Sequence, residues 1–154
     1  MEFIERNKKI EDVNMLSPLV WAYIGDSVYE MFVRVYLVNK SNAKPHKLHI
    51  ESIKYVKAKA QADILKKIQE NLTEKELEIV KRGRNVQNHH VAKNSSIADY
   101  SQSTAFEALI GYLYLTRSRW KVERNIKYVF IIFYITFVLQ WLHLCYIYCN
   151  YEIN

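Results

Sequence analysis

Ser17-Pro18-Leu19-Val20-Trp21-Ala22-Tyr23-Ile24-Gly25-Asp26-Ser27-Val28-Tyr29-Glu30 reads as a helix start followed by an apolar helix with an acid inside it. Ser at the N-cap and Pro at the first helical position form a strong opening signal. Leu19, Ala22, Asp26, Tyr29, Val33 and Leu37 then recur at helical spacing, which predicts a helix to about Val38 with Asp26 on or beside its buried face. A second acid-bearing segment, Thr104-Ala105-Phe106-Glu107-Ala108-Leu109-Ile110-Gly111-Tyr112-Leu113-Tyr114-Leu115, follows about eighty residues later. An ionised carboxylate in apolar surroundings is costly unless something pairs with it. If the two segments face each other, their carboxylates converge on one point, an arrangement suited to a hard divalent cation.

The remaining sequence is also helical in character. Three Gly and two Pro in 154 residues leave few turn clusters. Asn39 to Pro45 reads as a turn. A second long helix is expected over His46 to Glu70, with Leu48, Ile53, Val56, Ala60, Ile64, Leu65 and Ile68 inward. Thr73-Glu74-Lys75-Glu76 is a capping box that opens a short helix to about Lys81. Arg82 to Ser96 reads as a polar loop, and the Glu107 helix starts between Asp99 and Ser103. The expectation is an all-α domain over residues 15–117, a loose lead-in over 1–14 and a distinct tail over 118–154.

Charge points to the partner. The net charge is +6, and residues 40–67 hold eight Lys against Glu51 and Asp63. Residues 81–93 add Lys81, Arg82, Arg84 and Lys93 with no acid. Such clustering favours a polyanion or an anionic surface, and no glycine-rich mononucleotide loop is present. Cys145 and Cys149, four apart without a matching His or Cys pair, argue against a zinc site and for a reducing compartment. Met1 to Asn14 is charged and lacks the apolar core of a signal peptide, so a cytoplasmic location is expected.

The tail changes character. Tyr128 to Asn150 carries no formal charge and is dominated by Ile, Tyr, Phe, Val, Leu and Trp. Three readings stand: a membrane span by length, a packed or dimer-facing helix, or an AT-rich coding sequence read out of frame.

The segment Leu19-Val-Trp-Ala-Tyr-Ile-Gly-Asp-Ser-Val-Tyr-Glu resembles the signature helix of the ribonuclease III catalytic domain. From about Leu16 to Thr116 the chain is more closely similar to the bacterial Mini-III ribonucleases. Lys44-Pro45 with Leu48-His49, Tyr55-Val56 with Ala58-Lys59-Ala60-Gln61-Ala62, Arg82-Gly83-Arg84-Asn85, Lys93-Asn94, and Tyr100 through Leu115 carry the likeness in order. The resemblance implies a homodimeric helical endonuclease without a separate double-stranded-RNA-binding domain, maturing the ends of precursor 23S ribosomal RNA. It also implies that Asp26 and Glu107 are the catalytic, metal-holding acids. Two further acids of the full-length ribonuclease III pattern are replaced by Ala22 and Thr104, as in the Mini-III variant. From Arg117 onward the tail departs from the charged helix that ends family members.

Within that reading, Asp26 and Glu107 hold Mg²⁺, with Mn²⁺ as a substitute. Glu30, one turn after Asp26, either orients a water or Lys93 there or is an ordinary helix-pairing glutamate. Lys57, Lys59, Arg82, Arg84, Asn85 and Lys93 are the candidate contacts to double-stranded RNA. Arg82-Gly83-Arg84-Asn85 ranks first among them, on the reading that Gly83 lets a loop bring two guanidiniums together. The other reading of that segment is a helix end with Arg side chains on its last carbonyls. Val28, Phe32, Phe106 and Ile110 are candidate dimer contacts. The rival functions are a catalytically impaired RNA-binding protein and a membrane-attached protein using the apolar tail.

Overall fold

A computed structural model describes residues 10–86, 96–116, 121, 122 and 125. Among these, every regular element is helical: α1 (Ile10–Asn14), α2 (Pro18–Lys40), α3 (Pro45–Val56), α4 (Ala58–Ile68), a 3₁₀ turn (Gln69–Asn71), α5 (Glu74–Arg84) and α6 (Ile97–Leu115). The all-α expectation holds. The tail beyond residue 125, on which the membrane, packed-helix and out-of-frame readings rest, lies outside the described residues. Among the described residues no helix is long and apolar enough to cross a membrane.

Local chemistry sets the helix starts. The Ser17 Oγ accepts from the Val20 N–H at 3.3 Å, with Pro18 at the first helical position. The capping box is present: Glu76 Oε2 accepts from the Thr73 N–H at 2.8 Å, and Thr73 Oγ1 accepts from the Glu76 N–H at 3.4 Å. Helix α6 starts earlier than expected, because the Ser96 hydroxyl caps the Asp99 N–H at 3.0 Å.

The expected second long helix is two. Lys57 takes an extended conformation (φ −63°, ψ 145°), ending α3 and capping α4 at once. Its N–H still donates to Ile53 O, while its own carbonyl accepts from Ala60 and Gln61. The bend lets α3 pack on α2 while α4 turns its apolar side to α6. The short helix α5 also runs further than expected, to Arg84.

Helix α6 is the centre of the fold, packed by α2, α4 and α5. From Ala105 to Leu113 it is apolar nearly all round, the pattern of a helix segment buried on most sides. Ala105, Phe106, Ala108, Leu109 and Ile110 are wholly enclosed, with Leu113 nearly so. Trp21 meets Tyr112 edge-on with centroids 5.3 Å apart, and Tyr29 meets Phe106 in the same way at 5.0 Å. Phe106, Ile110 and Val28, expected as dimer contacts, are instead core residues of the single chain. Nor is the lead-in loose throughout. Val13 is buried, its carbonyl accepts from Trp21 Nε1 at 3.0 Å, and Asn14 Oδ1 accepts from the Tyr112 hydroxyl at 2.9 Å.

Candidate active site

Helices α2 and α6 cross backbone to backbone. A Cβ built on Gly25 would stand 1.8 Å from Glu107 O and 2.7 Å from Gly111 N. One built on Gly111 would stand 1.9 Å from Trp21 O and 2.8 Å from Gly25 N. Only hydrogen fits at either position, so two glycines let the helices touch. Asp26 directly follows one of these glycines, and Glu107 lies one turn before the other. The crossing therefore sets the two acids beside each other.

Their electrostatics agree with that placement. Burial pushes the Glu107 carboxyl up from its usual range to about 7, and the Asp26 charge adds to the rise. Asp26, at the margin of the buried stripe, is also raised, first by partial burial and then by Glu30. Glu107 is the deeper of the two and holds its proton up to about pH 7. Asp26 ionises first, and its charge then opposes ionisation of Glu107. Glu30 joins the cluster one turn along α2, where it accepts from Arg34 Nε at 3.2 Å.

A fourth group comes from α4. Gln61 is 1% exposed, and its carboxamide faces Glu107, where it alone acts to lower that pKa. Neither Nε2 nor Oε1 of Gln61 has a hydrogen-bond partner of normal geometry in the protein. The sequence carries a signal for this residue. Gln61 interrupts the apolar stripe of Ala60, Ile64, Leu65 and Ile68, where an amide is out of place unless something uses it.

The donors gathered here are all oxygens, save the amide nitrogen. Among the described residues no three His, Cys, Asp or Glu side chains form a metal cage. Two carboxylates whose charges oppose each other fit a hard cation that keeps several of its waters, as Mg²⁺ does. Ala22 and Thr104, which stand in place of two further acids, are both buried. His46 and His49 lie exposed on α3.

The basic candidates separate into groups. Lys57 is exposed at the α3–α4 junction, one turn before Gln61. Lys59 is exposed and sits 3.7 Å from Asp63. Arg84 and Asn85 end α5 in solvent. Arg82 turns inward: its guanidinium lies 4.3 Å over the Trp21 ring and donates to the Asn14 and Leu16 carbonyls at 3.4 Å. Gly83 is not a loop residue. It is buried within α5, where a Cβ would meet Ala105 Cα and Ala108 Cβ at 2.9 Å. The two arginines thus diverge instead of gathering. Lys93 lies outside the described residues.

Known proteins share this arrangement of helices and sequence. The family model described as Ribonuclease III domain matches residues 19–118. Mini-ribonuclease 3 of Clostridium tetani is 45% identical over 120 residues, which is 77% of this chain and 80% of that protein. The same-named protein of Brevibacillus brevis is 43% identical over 129 residues, 84% of this chain and 96% of its own. A crystal structure of a Fusobacterium nucleatum protein matches with a TM-score of 0.70 at 29% identity, covering 77% of this chain and 95% of that one.

Proposed function

The chain belongs to the ribonuclease III domain family, and from that premise we propose a Mg²⁺-dependent endoribonuclease that cuts double-stranded RNA as a homodimer. Endoribonuclease chemistry follows from the family. The finer reading is that the enzyme trims the ends of precursor 23S ribosomal RNA in the cytoplasm, leaving 5′-phosphate and 3′-hydroxyl termini. The observation that supports the metal-dependent reading is the approach of Asp26 and Glu107 across the α2–α6 crossing.

Asp26 and Glu107 would hold Mg²⁺, or Mn²⁺ in its place. When bound, the cation supplies neutralisation of the scissile phosphate and an activated water for in-line displacement. The protein's own part is to hold two oxygens in fixed relation on two helices locked by glycines. It also keeps the Glu107 carboxyl where burial and the Asp26 charge oppose ionisation, a cost that a bound cation would offset. Glu30, raising Asp26 and tied to Arg34, adds negative field at the same mouth.

For substrate, A-form RNA offers phosphates and 2′-hydroxyls across a wide minor groove, read by shape. Lys57, Lys59, Arg84, Asn85 and Lys93 are the proposed contacts. Arg82 is engaged with Trp21 and the lead-in, and serves them instead. A two-fold dimer presents equivalent sites to the two antiparallel strands of a duplex. The outer face of α2, with Val20, Tyr23, Met31 and Val35 exposed, is the proposed meeting surface.

The test is cleavage of a double-stranded precursor RNA by Asp26→Asn and Glu107→Gln. Both variants are expected to bind the RNA and leave it uncut in Mg²⁺ and in Mn²⁺. Cleavage at the wild-type rate by either would remove the assignment.

A further inference from the structure

Gln61 enters the α2–α6 crossing from the third side. It sits one turn into α4, beyond the bend at Lys57. Its neighbours on the stripe, Ala60, Ile64, Leu65 and Ile68, are ordinary core residues. At 1% exposure, neither carboxamide atom makes a hydrogen bond of normal geometry, so beyond its approach to Glu107 the amide recovers little of its lost hydration. A Met or Leu at this position would pack without that penalty. The amide is therefore kept for a partner that arrives with function.

We propose that Gln61 is a positioning residue for the carboxylate pair, its Nε2 donating to Glu107 and its Oε1 accepting from a water shared with the bound cation. This inference rests on the reading of Asp26 and Glu107 as the Mg²⁺ site. The chemistry of the group fits both halves. An amide donates and accepts at once, and it carries no charge to add to the repulsion between two acids. A carboxylate aimed by a neutral donor presents the same lone pair to the cation in every turnover. Residues that orient metal ligands in this way commonly change metal affinity or activity by about 10–100-fold when replaced. The bend at Lys57 gains a purpose as well, since a straight α3–α4 helix would not turn this face toward α6.

Gln61→Met is the discriminating variant: unbranched, of the same length, and without the amide. Melting without divalent cations checks the fold, and Gln61→Met is expected to match or exceed the wild type there. Titration with Mg²⁺ followed by melting temperature then reads the site without any substrate. The expected result is a midpoint moved to about 10-fold or higher Mg²⁺, together with a fall in kcat and an unchanged KM for RNA. A purely structural glutamine predicts wild-type values for both. A Mg²⁺ response that Asp26→Asn abolishes and Gln61→Met leaves at the wild-type midpoint overturns this inference alone. A wild-type melting temperature indifferent to Mg²⁺ overturns it together with the carboxylate-pair reading.

Discussion

Replacing Glu107 by Gln should make the metal-free protein more stable as it destroys activity. The Glu107 carboxyl titrates near 7 in the fold, whereas an ordinary glutamate does so at 4.5. Between those values the folded chain holds a proton that the unfolded chain has released. Stability therefore falls as pH rises from about 4.5 to 7, and stays low above it. The full difference is worth about 3 kcal/mol, and Glu107 is mostly enclosed, so solvent screening removes little of it. Gln keeps the size and cannot ionise. In EDTA at pH 8 the variant should exceed the wild type by about 2–3 kcal/mol, or about 5–10 °C in melting temperature for a chain of this length. Near pH 4.5 the two should coincide. Urea unfolding at half-unit steps of pH from 4.5 to 8 measures the difference directly. Parallel pH profiles for the two proteins would refute the claim that burial and Asp26 press on Glu107.

Other outcomes follow from the same packing. Gly25→Ala puts a methyl 1.8 Å from the Glu107 carbonyl, a backbone atom with nowhere to go. Its cost should exceed the usual 1–3 kcal/mol of overpacking, at about 4 kcal/mol by urea denaturation. Arg82→Met should cost about 2 kcal/mol in stability through the lost Trp21 stacking and carbonyl contacts, while the salt dependence of RNA binding keeps its slope. Arg84→Ala should do the opposite, reducing that slope by about one with no change in melting temperature. Tyr23, 76% exposed on the outer face of α2, should on substitution by Asp convert the proposed dimer to a monomer in light scattering.

What could be read in advance was what local chemistry writes. Ser17-Pro18 and the Thr73–Glu76 box are complete within a few residues, so both helix starts were visible. Asp26 and Glu107 were visible because an acid inside an apolar helix demands a reason. Lys57 was not, since the bend there has no Gly, Pro or Asn. It exists because α3 and α4 have different partners, α2 and α6. Gly83 misled for a related reason: glycine suggests a turn locally, whereas here it admits the flank of α6. Arg82 has the charge of a phosphate contact, but its fate was set by a tryptophan sixty-one positions earlier in the chain. Gln61 is only half legible. One polar residue on an apolar stripe has several explanations until the opposite helix shows which acid it faces.

The Gly25–Gly111 contact divides the labour between main chain and side chain. A library screened for folding alone should retain glycine at codons 25 and 111 and admit neutral replacements at 26 and 107, where charge is a burden. A screen for RNA cutting should fix all four. Subtracting one selection from the other would thus recover, from survivors alone, which positions are scaffold and which are reagent.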